Sequence, residues 1–174
     1  GRMSGAPTLD HILRQRHGAR QEVVNVDEPM VKLVIFALGP HWFAFHGTHI
    51  REILAQAVVH FVPGCPPSLE GVINVRGDIA TVIRLHDVLQ LPAPATGQDS
   101  AIMLGSGAGI DSGLRVDRII DVVDVAHSSI QPPPATLGEP LRTLVLGVVH
   151  FQEQPVSLLD LERLLASYAE GLAG

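Results

Sequence analysis

The sequence predicts a mainly β protein made of two small β-barrels packed together. Three observations carry this prediction. The chain holds short runs of β-branched and aromatic residues, it breaks them with glycine and proline, and it repeats itself. Residues 1–30 read as a tail with one short helix, in which Thr8 caps a narrow stripe of Leu9, Ile12 and Leu13. Residues 32–38 and 41–46 make a hairpin about Gly39-Pro40. Residues 58–62 read as another strand, ended by Pro63-Gly64-Cys65-Pro66-Pro67. Residues 71–76 and 78–85 flank Gly77, whose place in a tight turn calls for positive φ. Leu85, Val88 and Leu89 add one helical turn, and 92–99 is a Pro/Ala/Gly linker.

After that linker the order returns. Gly71-Val72-Ile73-Asn74-Val75 matches Gly147-Val148-Val149-His150-Phe151, and the leucines of 85–89 match those of 161–165 in step. Upstream, Ile50-Arg51-Glu52-Ile53 is aligned with Val116-Asp117-Arg118-Ile119, which leaves ten extra residues in the second copy around Pro132-Pro133-Pro134. The expected division is therefore a first barrel over 31–91 and a second over 100–168.

Composition narrows the function. An apolar fraction of 46% fills a core, and twelve basic against eighteen acidic residues give a formal charge of −6. A net negative field opposes polyanions, so nucleic acid and anionic membrane are poor partners. One cysteine, Cys65, excludes an intramolecular disulfide and fits a cytoplasmic chain. No apolar run approaches the ~20 residues of a membrane span. Nine histidines raise a metal site, but His41 and His46, five apart on one strand, would face opposite ways. Gly105-Ser106-Gly107-Ala108-Gly109 lacks the third glycine of a dinucleotide loop and the lysine of a Walker loop, and reads as a hairpin turn. No cofactor, metal or catalytic residue is expected.

An interaction function directs attention to the hairpin at Gly77. Asn74 and Arg76, two apart on a strand, would project to one face, where the guanidinium could offer a planar fork to carboxylates or helix-end carbonyls. The second copy places His150 and Gln152 at these positions. A barrel therefore does not require Asn74 and Arg76, which favours a binding role.

Phe36-Ala37-Leu38-Gly39, Ile50 through Leu54, Pro63 through Pro67 and Gly71 through Gly77 form an ordered set in the first half. Leu114 through Asp117, Ile120 through Val123 and Leu158 through Leu161 continue it in the second half. Together these stretches resemble the CheW-like chemotaxis coupling family. The resemblance implies two five-stranded SH3-like barrels related by a pseudo-twofold axis, in a non-catalytic adaptor. Its partners would be the cytoplasmic tip of methyl-accepting chemoreceptors and the regulatory domain of a CheA-type histidine kinase, with other CheW-like domains as further partners. The adaptor would be recruited to membrane receptor arrays. Ile50, Glu52, Gly71, Asn74, Arg76 and Gly77 would lie at the receptor-contacting surface, Gly71 permitting close backbone approach. Alternative outputs in the same class are type IV pili or cyclic-dinucleotide signalling, or the regulatory domain of a CheA-type kinase. The chain departs from the family at Thr81, where proline is usual, and at Arg84, where aspartate is usual. The second half keeps Asp160, and Ser157-x-x-Asp160 reads as a capping box.

Overall fold

The computed structural model describes residues 28–92 and 100–173. The expected helix at Leu9–Leu13 and the linker from residue 93 onward lie outside the described residues. Ten strands and three α-helices follow in order: β1 (Met30–Leu38), β2 (His41–His46), β3 (Ile50–Leu54), β4 (Leu69–Val75), β5 (Asp78–Arg84), α1 (Leu85–Val88), β6 (Ala101–Gly107), β7 (Ile110–Val116), β8 (Arg118–Ala126), α2 (Leu141–Leu144), β9 (Val145–Phe151), β10 (Gln154–Leu159) and α3 (Leu161–Ala173). Short 3₁₀ turns at Gly47–His49 and His127–Ser129 link β2 to β3 and follow β8.

The strands form two five-stranded sheets, ordered β8-β1-β2-β10-β9 and β3-β6-β7-β5-β4. Each sheet thus takes strands from both halves, and the expected contiguous subdomains 31–91 and 100–168 are interleaved. Exchanging each strand of one half for its counterpart in the other converts the first order into the second, which is the pseudo-twofold in topological form. Residues 58–62 form no strand. They contribute one bridge, His60 to Val72, whose counterpart is Gln131 to Val148.

Pairing also corrects the upstream alignment of the repeat. Leu38 and Gly107 are the last residues before equivalent two-residue turns, so Phe36 corresponds to Gly105. Phe36 pairs with Ile119 and Gly105 pairs with Ile50, which makes Ile119, not Val116, the counterpart of Ile50. Three of the ten apparent insertions therefore disappear. Both pairings carry a bulge at this same place, between Ile50 and Glu52 in one and between Ile35 and Phe36 in the other.

Period-two alternation on strands buried on both faces explains the apolar runs. Along β1, Leu33 and Ile35 face one sheet's own cluster with Ala44, Val149, Val156 and Leu158. Val34, Phe36 and Leu38 face a central cluster shared with Phe45, Leu114, Leu161 and Leu164. The other sheet has its own cluster of Ile73, Val82, Ile102 and Leu104. Phe36 stands 5.1 Å from Phe45 and 6.0 Å from Phe43, ring centre to ring centre. Such aromatic pairs contribute ~1 kcal/mol each beyond their burial.

Helix α3 closes the central layer. Asp160 Oδ1 accepts the Arg163 N–H at 3.0 Å, and Leu161, Leu164, Leu165 and Tyr168 recur at helical spacing on the inner face. Asp160 is thus the N-cap itself, whereas Ser157 lies inside β10; the expected capping box is replaced by a single-residue cap. The glycines of 105–109 also have a different reason from the one expected. Only Gly109 occupies the turn. A Cβ on Gly105 would lie 3.0 Å from Leu161 Cδ2, and one on Gly107 would lie 2.9 Å from Glu162 Cα. They let α3 sit directly on β6.

Candidate functional site

The β4–β5 connection is a two-residue turn with Arg76 at φ 51° and Gly77 at φ 92°. Positive φ at both central positions is the type I′ geometry, which matches the twist of a two-stranded hairpin. Arg76 therefore stands in the turn and not on a strand, so the expectation that it shares a face with Asn74 by period two does not hold. Asn74 reaches the turn another way: its Oδ1 accepts the Gly77 N–H at 2.9 Å.

Arg76 is bound to Glu52 through both guanidinium nitrogens, Nη1 at 3.2 Å from Oε2 and Nη2 on Oε1. Glu52 lies on β3 and the Arg76 turn follows β4, the two edge strands of their sheet. The ion pair thus joins the two ends of the strand order. The hydrogen bond from Arg76 holds the Glu52 carboxyl below its ordinary range, and the same bond raises the guanidinium. The Arg76 side chain is nevertheless 73% exposed. An ion pair so open contributes little to stability, and what it fixes is the position of the guanidinium.

Among the described residues the other sheet has no such pair. There the counterpart of Glu52 is Asp121, whose Oδ1 accepts the N–H of adjacent Val122 at 2.8 Å. The counterpart of Arg76 is Gln152, in a turn of the same type with φ 53° and 65° at Gln152 and Glu153. The same architecture closes without an ion pair at this place.

Two hollows of about 530 Å³ and about 400 Å³ flank the turn, and both are lined by Val75 and Arg76. Ile79 contributes to the first and is 66% exposed; Val58 contributes to the second and is 74% exposed. The guanidinium is therefore a charged ridge between two partly apolar depressions. Ile79 escaped the sequence reading, although parity contained it. Ile79, Thr81 and Ile83 share one face of β5, and only Ile83 reaches the central cluster. The apolar alternation runs past the end of the core.

Glu52, Asn74, Arg76 and Gly77 come together here; Ile50 and Gly71 do not join them. Ile50 packs against the central cluster, and the bulge next to it separates its orientation from that of Glu52. Gly71 is buried beneath the 58–62 segment, where an added Cβ would meet His60 O at 2.3 Å. Close backbone approach does occur at Gly71, and it is the chain's own backbone that approaches.

Arg84 occupies the N-cap position of α1 and makes no side-chain cap. Its Nη1 donates to Pro67 O at 3.3 Å, and its Nε lies 3.9 Å from Glu70, which also takes a two-pronged bond from Arg115 at 3.0 and 2.8 Å. The unusual arginine braces the proline-rich loop. Thr81 Oγ1 lies 3.2 Å from Ser112 Oγ, linking β5 to β7. Among the histidines, His46 and His49 have ring centres 6.2 Å apart. No group of three side chains suited to a metal ion is found among the described residues. No helix among them is long and apolar enough to cross a membrane.

The chain is 28% identical over 170 residues to the chemotaxis protein CheW of Treponema pallidum, covering 95% of each chain. It is 28% identical over 136 residues to a probable chemotaxis protein CheW of Rhizobium etli, covering 78% of this chain and 87% of that one. The crystal structure of the scaffolding protein TtCheW from Thermoanaerobacter tengcongensis superimposes with a TM-score of 0.71 at 26% identity, over 78% of this chain and 92% of that one. With the CheW-like domain family model matching residues 32–169, this chain belongs to the CheW-like domain family.

Proposed function

We propose that this chemotaxis adaptor couples the cytoplasmic tip of methyl-accepting chemoreceptors to the regulatory domain of a CheA-type histidine kinase. Family membership makes the chain an adaptor and not a catalyst. The observation that carries the receptor contact is the Arg76 guanidinium, clamped by Glu52 yet open to solvent between hollows that expose Ile79 and Val58. A cation held by Glu52 between two partly apolar depressions suits the end of an amphipathic helical hairpin, whose carbonyls and carboxylates would take the fork while apolar side chains meet Ile79 and Val58. Asn74 and Gly77 serve the same surface by fixing the turn that carries Arg76. The working compartment on this reading is the cytoplasm.

Co-sedimentation with receptor signalling fragments, with and without the cognate kinase, tests the proposal. Recovery in the receptor pellet that depends on the kinase and falls in Arg76→Ala is the expected result. Failure to associate with either partner would sink it.

A further inference from the structure

A third hollow, of about 520 Å³, lies apart from the Arg76 turn and shares no lining residue with the hollows beside it. Val88 of α1, Pro140 and Leu144 about α2, and Leu164 and Tyr168 of α3 form its apolar wall. Asp87 and Glu139, both exposed, stand on its lining. Neither carboxylate is in an ion pair among the described residues. Glu139 Oε1 accepts from the Thr143 N–H at 3.1 Å and from its hydroxyl at 2.6 Å, which leaves Oε2 toward the rim, and among the described residues no side-chain hydrogen bond engages Asp87. A cavity of this size and character buries a compact apolar ligand, and its rim favours a cationic one.

We propose that the occupant is the chain's own N-terminal segment, with Leu9, Ile12 and Leu13 in the apolar hollow and Arg14 and Arg16 at the acidic rim. Three facts select this segment. Residues 9–20 hold three apolar residues at helical spacing, followed by Arg14, Arg16 and Arg20 with Asp10 as the one acid, which complements Asp87 and Glu139. A helix as short as the sequence predicts there is marginal in water and gains from a surface that buries its stripe. Reach is no obstacle. The described chain begins at Glu28, which accepts the Ser128 backbone N–H at 3.2 Å. The fourteen residues from 14 to 27 can span about 45 Å, against a radius of gyration of about 15 Å for a body of this size.

Cys65 supplies the test, because it is the single cysteine, is exposed, and directly precedes Pro66 of the hollow's lining. A nitroxide on Cys65 of the full chain should broaden the methyl resonances of Leu9, Ile12 and Leu13. The broadening should be lost in Ile12→Asp and reduced in Asp87→Lys, which leaves the Glu139 bonds to Thr143 intact. Sharp methyl signals in the labelled chain would overturn the proposal. So would broadening unchanged by Ile12→Asp, which would indicate random collision. A spin-labelled, unlabelled-isotope chain mixed with an isotope-labelled Cys65→Ser chain separates the two sources of the segment. Broadening in that mixture would assign the hollow to a second copy and also refute the proposal.

Discussion

His86 Nε2 lies 3.0 Å from Asp117 Oδ1, within ion-pair distance but outside hydrogen-bond geometry, and the imidazole is almost fully buried. The second carboxylate oxygen of Asp117 accepts the Gly39 N–H at 2.6 Å. One side chain thus joins α1, the β7–β8 corner and the β1–β2 turn, and so connects the two interleaved halves. Asp117→Ala would remove an acceptor from a backbone N–H and leave a buried imidazole beside a gap. It should cost about 1 kcal/mol, since the Gly39 N–H is exposed and water can replace its acceptor, read as a lower urea midpoint at pH 7 with an unchanged slope. An unaltered midpoint would show that the contact carries no stability.

The fork of Arg76 should matter more than its charge. Arg76→Lys keeps a cation but cannot bind Glu52 through two parallel N–H groups, so its position is no longer fixed. Receptor-fragment affinity is expected to fall about tenfold, the loss typical of an interface anchor, while the urea midpoint stays at the wild-type value. The pH dependence follows from the depressed Glu52 carboxyl. Such a group keeps its tether above its unfolded pKa and loses it only as pH falls through the lower folded value. Binding should therefore be level from pH 7 to 5 in this respect, and a decline confined to that interval that vanishes in Glu52→Gln would contradict the assignment.

Gly71 and Gly147 are expected to fail alike. A Cβ would meet His60 O at 2.3 Å in the first and Gln131 O at 2.7 Å in the second, the two residues that bridge to Val72 and Val148. Overpacking against backbone that cannot step aside costs about 1–3 kcal/mol, so each Gly→Ala change should lower the melting temperature by several degrees. Gly138→Ala, with nothing within 4 Å, is the matched control. If Gly71→Ala melts normally and loses receptor binding, the glycine belongs to the interface after all.

These glycines show what the sequence could and could not convey. The repeat made Gly71 and Gly147 equivalent, and that equivalence is real; which backbone approaches them depends on a long-range bridge that leaves no local pattern. Strand positions were legible because alternation and two-residue turns are local. Strand partners were not, since exchange of strands between the halves changes no residue's neighbours in sequence. At the site, Arg76 was legible as the polar difference between two copies of one hairpin. Its bond to Glu52 joins edge strands 24 residues apart in the chain, and Ile79 was hidden in a run that looks like core.

Stability should fall on mild acidification through His46. Burial lowers its pKa, His49 lowers it further, Asp160 opposes the shift, and His127 adds a smaller lowering. The Lys32 side chain also packs against Gly47 beside it and is 3.9 Å from Asp124. A histidine held neutral in the folded state binds fewer protons than in the unfolded chain, so stability rises with pH across the interval. The contribution is complete above the ordinary histidine value of ~6.5 and is lost as pH drops through the depressed one. Urea midpoints should decline from pH 7 to 5, and His46→Asn should flatten that decline. An equal slope in the variant would place the pH sensitivity elsewhere.

The two helix starts offer the sharpest contrast between counterparts. Asp160 caps α3, a 13-residue helix whose Leu161, Leu164 and Leu165 are fully buried. Arg84 precedes α1, four residues long and fixed by the burial of Leu85 and His86 without any side-chain cap. Asp160→Ala should cost about 1 kcal/mol, the usual worth of an N-cap. Arg84→Asp restores the residue type of the second half, but a single turn has few N–H groups to gain from it, the bond to Pro67 O is given up, and the attraction to Glu70 becomes a repulsion. Global stability should fall by no more than about 1 kcal/mol, while exchange of the Leu69 amide, which donates to Pro66 O at 2.9 Å, accelerates as the loop loses its brace. A clear gain in stability with the loop unchanged would mean that Arg84 is a poor cap and nothing more.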